Sequence, residues 1–447
     1  MSSTAAGIAA PPQGRALYLE TYGCQMNVAD SELILGSLAA RGYRSVASPE
    51  QADVILLNTC AIREHAEERV AQRVRQLISE RRGRRVRVGL AGCMAQHHRD
   101  RLLDSIPGLD FVVGPDGYRR LADLLDADEP AASVQLDRRE TYEDIVPLRA
   151  AGVRAWLTIM RGCDRFCTFC VVPLVRGRER SLPAQVLMDE LRRIAHQGYR
   201  EVVLLGQTVN AYRSGSVGFG DLLRMACEVE GIERIRFTSP HPADFDDSSI
   251  TAMAECPKLS PYVHLPLQSG SDRILAAMQR GHTIAEYVDL VARLRSAVAG
   301  LALSTDIIVG YPGETDEDFE QTSQLMDRVG FDHAFLFKYS AREGTRAYKL
   351  DETVSEQQKG QRLERLIAEQ QTRALRINQS LVGSVTEVLA EKPARRQEGW
   401  MSGRNAQFRR VVFDPLPGAA EPGELVKVAI EAATSHTLLG RQIAREQ

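Results

Sequence analysis

The stretch RAWLTIMRGCDRFCTFCVVPLVRGRERS, residues 154–181, sets a strand-like run directly before three cysteines spaced C-x3-C-x2-C, at Cys163, Cys167 and Cys170. Thiolate-held metals and clusters ordinarily take four protein ligands. Nothing closes this loop: the nearest downstream candidates, His196 and Cys227, fall on helical runs. A structural zinc site would be completed at a short interval, so the spacing speaks against one. An incomplete set fits a cubane iron–sulfur cluster with three irons tied to protein and the fourth open to a small-molecule chelator. A mere group of core thiols is the bland alternative.

Five further strand-like runs follow: EVVLLGQ (201–207), RIRFTSP (234–240), YVHLPLQ (262–268), LALSTDIIVG (301–310) and HAFLFKYS (333–340). Helical stretches such as 182–198 and 316–330 lie between them. Six strand–helix units predict an open (β/α)6 barrel of parallel strands, two units short of a closed eight-stranded one. The three cysteines then stand at the carboxyl end of the first strand, where barrel enzymes keep their chemistry.

Upstream, RALYLETYGC (15–24), ADVILLNTC (52–60), RVRVGLAGC (85–93) and DFVVG (110–114) alternate with helical patterns over 30–43 and 62–82. This rhythm predicts a doubly wound parallel sheet. Cys24, Cys60 and Cys93 each fall just past the carboxyl end of a strand, the edge where such sheets collect ligands. Any one of them is equally an ordinary buried thiol; three at equivalent positions are expected to converge. Downstream, one long helix begins at a Ser355/Gln358 capping box and is ended by Gly383. Five short β-rich runs then predict a small OB-like β-barrel of a type that often grips nucleic acid. The division expected is a loose tail (1–14), an N-terminal sheet domain (15–128), a linker (129–148), the barrel core (149–379) and the terminal barrel (380–445).

The chain's 447 residues exceed one ordinary core. No apolar run nears the ~20 residues that cross a bilayer, and the start lacks a signal-peptide pattern. The eight cysteines therefore read as metal-binding or catalytic in a reducing cytoplasm, and not as a disulfide framework. Net charge is −3, so a nucleic-acid partner must be met by local patches. Between Arg63 and Arg87 nine arginines face four glutamates, a balance of +5. Arg176, Arg178 and Arg180 add charge near the barrel mouth, and Arg404, Arg409 and Arg410 form a possible strip on the terminal barrel. These are candidate phosphate contacts; a solvated helix laced with Glu/Arg pairs is the alternative.

The segments TYGCQMN (21–27), NTCAIREHAEERV (58–70), GLAGCMAQ (89–96), GCDRFCTFC (162–170), LLGQTVNAY (204–212), HLPLQSGSD (264–272) and DIIVGYPGETDEDF (306–319), with the terminal barrel, together resemble the methylthiotransferases of the radical S-adenosylmethionine (SAM) superfamily. The resemblance runs from about residue 15 to 443, and GCQMN resembles the branch that modifies N6-dimethylallyladenosine at position 37 of tRNA. It implies two 4Fe-4S clusters, the second held by Cys24, Cys60 and Cys93, and two SAM molecules per turnover. One SAM would methylate a sulfur on the auxiliary cluster; the other would yield the radical that takes hydrogen from C2 of the adenine. It further implies that Gln207 and Asn210, ending the second strand, and Gln268 and Ser269, ending the fourth, reach SAM or substrate. Phe169, with Phe166, would wall the cluster, unless both simply pack under the barrel mouth. Glu314 lies one residue beyond the superfamily's acidic position, which Gly313 occupies, so that role is not carried over. Cys227 and Cys256 read as core thiols, and His97 and His98 as surface residues. The terminal barrel resembles a TRAM domain. Implied partners are a tRNA anticodon-loop adenosine, an electron donor such as flavodoxin or ferredoxin, and a sulfur source, with the enzyme a monomer. The competing readings are the same chemistry on another acceptor, or a non-catalytic RNA-binding protein stapled by zinc.

Overall fold

The computed structural model describes residues 14–61, 64–81, 83–127, 129–416 and 421–444, so all but the last residue of the tail expected at 1–14 lies outside the described residues. The chain divides into two compact units, Met1–Arg149 and Ala150–Gln447.

In the first unit the run VILLNT is buried at every position (Val54–Thr59) because it is the inner strand of a parallel sheet covered on both faces. Side chains alternate across a strand. Val54 and Leu56 therefore join Leu33, Ile34 and Leu38 of the helix Gln25–Ala39, while Ile55 and Leu57 meet Val70, Val74 and Leu77 of the helix Glu64–Ser79. The doubly wound sheet has six parallel strands in the order Arg44–Ser45, Ala16–Thr21, Val54–Thr59, Arg87–Gly92, Phe111–Val113, Ala131–Ser133. The order reverses between Ala16–Thr21 and Val54–Thr59, and that switch point is where open α/β sheets bind ligands.

Two edge strands were not legible in the sequence. Ala131–Ser133 lies inside the segment expected to be a linker, and its three small residues carry no period. The rest of that segment also packs on the first unit: the Tyr142 hydroxyl donates to the Pro115 carbonyl at 2.9 Å, and Arg119 pairs with Glu140 and Asp144.

The second unit holds the six expected parallel strands in two sets of three: Arg154–Thr158, Glu201–Leu205 and Arg234–Phe237, then Tyr262–His264, Ala302–Val309 and His333–Lys338. A parallel bridge between Ile235 and Leu259 links the sets. Among the described residues the first and last strands do not pair, so the barrel is open. Alternate strand residues (Leu157, Val202, Ile235, Val263, Leu303, Ile307) pack under the outer helices in one continuous core. The others face the lumen.

The helix Glu356–Gln379 starts at the expected capping box and leads into a closed five-stranded barrel of Val385–Pro393, Met401–Asn405, Arg410–Asp414, Leu438–Gln442 and Leu425–Ala433, which fits a TRAM domain. This small barrel seals the amino end of the large one. Glu201, fully buried, pairs with Arg154, Arg234 and Arg236. Arg236 donates to the carbonyls of Asn405 and Ala406, both at 2.8 Å, and Arg234 to that of Arg404 at 3.1 Å. The Phe408 ring sits beneath the guanidinia of Arg404, Arg236 and Arg154 at 4.2, 4.8 and 5.5 Å. Arg404 and Arg409, expected in an RNA-facing strip, instead serve this seam, Arg409 through Asp332. Among the described residues no helix is long and apolar enough to cross a membrane.

Candidate functional site

In the second unit the cysteine loop leaves the strand Arg154–Thr158 through Gly162, whose φ of +78° suits glycine. A Cβ there would lie 2.0 Å from the Arg178 carbonyl oxygen. Gly162→Ala is therefore expected to displace Cys163 and lower iron uptake at this trio well below that of the parent, checked by iron assay after anaerobic reconstitution.

Cys163 and Cys167 are buried and Cys170 half-buried. Cys163 Sγ shares a hydrogen bond with Thr208 Oγ1 at 3.0 Å and accepts from the Arg165 amide at 3.3 Å. Arg280 Nη1 donates to Cys167 Sγ at 3.4 Å. Burial pushes the Cys163 thiol up, against the Thr208 hydrogen bond, and burial with the neighbouring Cys167 pushes Cys170 up to about 12. Loading with iron must therefore displace thiol protons. The loop is anchored by Thr168, which donates its amide to the Met278 carbonyl at 3.0 Å and shares a hydroxyl hydrogen bond with Tyr311 at 2.7 Å.

The other residues expected here divide. Gln207 follows the second strand beside Thr208, and its Oε1 is buried without a hydrogen-bond partner. Gln268 is buried in a left-handed conformation, φ 75°, its backbone bridged to Ile307. A non-glycine residue in this conformation is held there by its surroundings, here the paired backbone of Asp306 and Ile308. Asn210, by contrast, donates to the His241 carbonyl at 2.9 Å and accepts from its amide at 2.7 Å, which clamps two loops together. The Ser269 hydroxyl accepts from the Ser271 amide at 3.2 Å and braces its own turn. Phe169 packs beside Tyr311 and Tyr339, while Phe166 is 45% exposed with the Arg178 guanidinium 5.1 Å over its ring. Glu314 accepts from the Gly310 amide at 2.7 Å and pairs with Arg362 at 2.6 Å, so it ties the glycine-rich turn to the long helix.

In the first unit the three cysteine-bearing turns press together. A Cβ on Gly23 would lie 2.6 Å from that of Cys60, and one on Gly92 would lie 2.5 Å from the Thr59 carbonyl oxygen. The turns that carry Cys24, Cys60 and Cys93 thus lie side by side at the topological switch point. Asn27 and Asn58, unmarked in the sequence reading, knit the turns: Asn27 Nδ2 donates to the Thr59 carbonyl at 3.0 Å, and Asn58 Nδ2 to the Asn27 carbonyl at 2.8 Å. The Cys24 thiol donates to Asn27 Oδ1 at 3.2 Å. His98 pairs with Glu67 at 3.1 Å. Among the described residues the one group of three His, Cys, Asp or Glu ligand atoms within 4.8 Å of one another is Glu67, His97 and His98. Neither cysteine trio is drawn that tightly. One zinc ion would need sulfurs about 3.8 Å apart at Zn–S bonds of about 2.3 Å, whereas a multi-iron cluster gives each thiolate its own iron.

The proposed phosphate patches are reduced. Arg73 pairs with Glu20, Arg81 with Asp110, and Arg84 and Arg87 donate to backbone carbonyls. Arg176 and Arg180 are buried, and Arg178 pairs with Asp164 at 2.5 Å. Arg69, Arg75 and Arg85 remain exposed, while Arg63 and Arg82 lie outside the described residues.

Residues 16–114 match a family described as Uncharacterized protein family UPF0004, and residues 157–326 match the Radical SAM superfamily. A tRNA-2-methylthio-N(6)-dimethylallyladenosine synthase from Chlorobium phaeovibrioides is 46% identical over 435 residues, 96% of this chain and 97% of that one. The protein of the same name from Cereibacter sphaeroides is 44% identical, covering 96% of this chain and 99% of its own. Among solved structures, the radical SAM methyltransferase TsrM from Kitasatospora setae shares the fold at a TM-score of 0.59 and 15% identity, over 87% of this chain and 81% of that one. With both domains matched and such relatives aligned nearly end to end, the chain belongs to the tRNA-2-methylthio-N(6)-dimethylallyladenosine synthase family of radical SAM proteins.

Proposed function

We propose that this protein transfers a methylthio group to C2 of N6-dimethylallyladenosine at position 37 of tRNA. The observation that supports the reading is the presence of two cysteine trios, each at the carboxyl ends of parallel strands, in a chain matched nearly end to end by synthases of this name. Membership of the radical SAM superfamily brings an iron–sulfur cluster and SAM; the count of two clusters is part of this proposal. Cys163, Cys167 and Cys170 would hold one cluster and Cys24, Cys60 and Cys93 the other. When bound, they and SAM supply the one-electron chemistry that an aryl C–H, neither acidic nor polarised, demands.

The chain's own residues do the rest. The unpartnered Gln207 carbonyl, next to the Thr208 that touches Cys163, is an acceptor placed for an ammonium group such as that of SAM. His264 donates or accepts between Ser304 at 2.8 Å and Asp306 at 3.3 Å, with the Phe335 ring 5.6 Å away. These side chains alternate with those packed under the helices, so they line the lumen. An aromatic face beside polar groups suits an unstacked adenine, which is why an anticodon-loop nucleotide is the fitting acceptor. The TRAM barrel would bind the RNA, an electron donor such as flavodoxin or ferredoxin would reduce the protein, and a separate source would supply sulfur, with the monomeric enzyme working in cytoplasm.

Nucleoside analysis of tRNA from a strain lacking the gene tests the reading. The expected result is loss of the 2-methylthio mark with accumulation of the dimethylallyl precursor. An unchanged nucleoside profile would rule out this substrate.

A further inference from the structure

Arg280 lies on the turn that follows the helix Asp272–Ala277. It is 6% exposed, and among the described residues it has no carboxylate partner. Its Nη1 donates to Cys167 Sγ at 3.4 Å, its Nη2 to the Pro266 carbonyl at 2.9 Å, and its Nε is buried without an acceptor. A guanidinium cannot shed its proton to escape burial, so it demands a nearby anion. Arg165, the neighbouring arginine, is cancelled by Asp244. The two imidazoles around it, His241 and His282, lie 5.9 Å apart. Burial, with Arg280 itself, holds them well below the usual range, at about 2 and about 4, so neither adds charge at neutral pH. Arg280 therefore brings a fixed positive charge to Cys167, while the carboxylate of Glu179, which also acts on the loop, lies on the Cys163 side.

The position is also rigid. Arg280 follows Gln279, held at φ 56°, and its amide donates to the Leu275 carbonyl at 3.0 Å. The cysteine loop docks on the same turn, through Thr168 to the carbonyls of Met278 and Ala277, both at 3.0 Å. Arginine and loop are thus placed by one piece of backbone.

We infer that Arg280 is the built-in counter-charge of the cluster held by Cys163, Cys167 and Cys170, a positioning residue that raises its reduction potential through charge and an N–H···S hydrogen bond. The inference rests on the reading of those cysteines as cluster ligands. Reduction adds one electron to an already anionic, thiolate-bound group, so a fixed cation stabilises the reduced form more than the oxidised one.

The test is an EPR-monitored redox titration of anaerobically reconstituted R280Q and R280K in the full chain, with Cys24→Ala, Cys60→Ala and Cys93→Ala removing the second signal. Iron per chain and circular dichroism report occupancy and folding. R280Q is expected to hold iron with a midpoint shifted to more negative potential, and R280K to return it most of the way. An unshifted R280Q, or an R280K displaced as far as R280Q, overturns the assignment. If the triple-alanine parent does not fold, the same comparison is made in the otherwise unaltered chain, following only the signal that changes on adding SAM. A parent that takes up no iron at Cys163, Cys167 and Cys170 fails the cluster reading itself; one that takes up iron with R280Q unshifted fails this assignment alone.

Discussion

Replacing Cys163, Cys167 or Cys170 by alanine is expected to halve the iron, from about eight to about four per chain, and to reduce methylthiolated product below detection. Three anchors leave no redundancy, so losing any one should cost the whole cluster. The fold is expected to survive, because the loop is held independently by Thr168, whose carbonyl also accepts from the Ala347 amide at 2.8 Å. The complementary variants of Cys24, Cys60 or Cys93 should also retain about four irons and still cleave SAM, without product. Iron assay, SAM-cleavage assay and nucleoside analysis on the same preparations separate the two sites. Unchanged iron in either set would refute the assignment of that trio.

Glu201→Gln is expected to destabilise the second unit by about 3–5 kcal/mol, the usual cost of removing one partner from a buried charge cluster. Arg154, Arg234 and Arg236 would then face one another without their shared carboxylate. The unfolding midpoint should fall by on the order of 10 °C, read by calorimetry. Burial pushes the Glu201 carboxyl up, but Arg236, Arg154 and Arg234 reverse this and leave it below the ordinary carboxylate range. A depressed carboxylate contributes stability above its unfolded value and loses it as pH falls through the folded one. Parent and variant should therefore converge in stability only in acid below that range. A variant as stable as the parent at neutral pH would show the seam to be ornamental to folding.

The strand ends were legible because parallel strands buried on both faces read as unbroken Val/Ile/Leu runs that stop abruptly at Gly or Cys, as in VILLNTC and VGLAGC. Cys60 and Cys93 directly follow such strands and Cys24 lies three residues past one, whereas Cys163, Cys167 and Cys170 stood out by their C-x3-C-x2-C spacing. What escaped depends on pairing between distant segments. Arg280 reaches Cys167 across 113 positions, and Asn58 reaches Asn27 across 31. Asn210 looked like a cofactor contact because it ends a strand, yet its amide is occupied by His241. Charge density likewise overstated the RNA patch: composition shows how many arginines lie together, not that Glu20 and Asp110 hold two of them.

The stopper formed by Phe408 and its guanidinia closes one mouth of the large barrel. Access to the lumen of this unit is thereby left to the opposite rim and to the flank where, among the described residues, Arg154–Thr158 and His333–Lys338 do not pair.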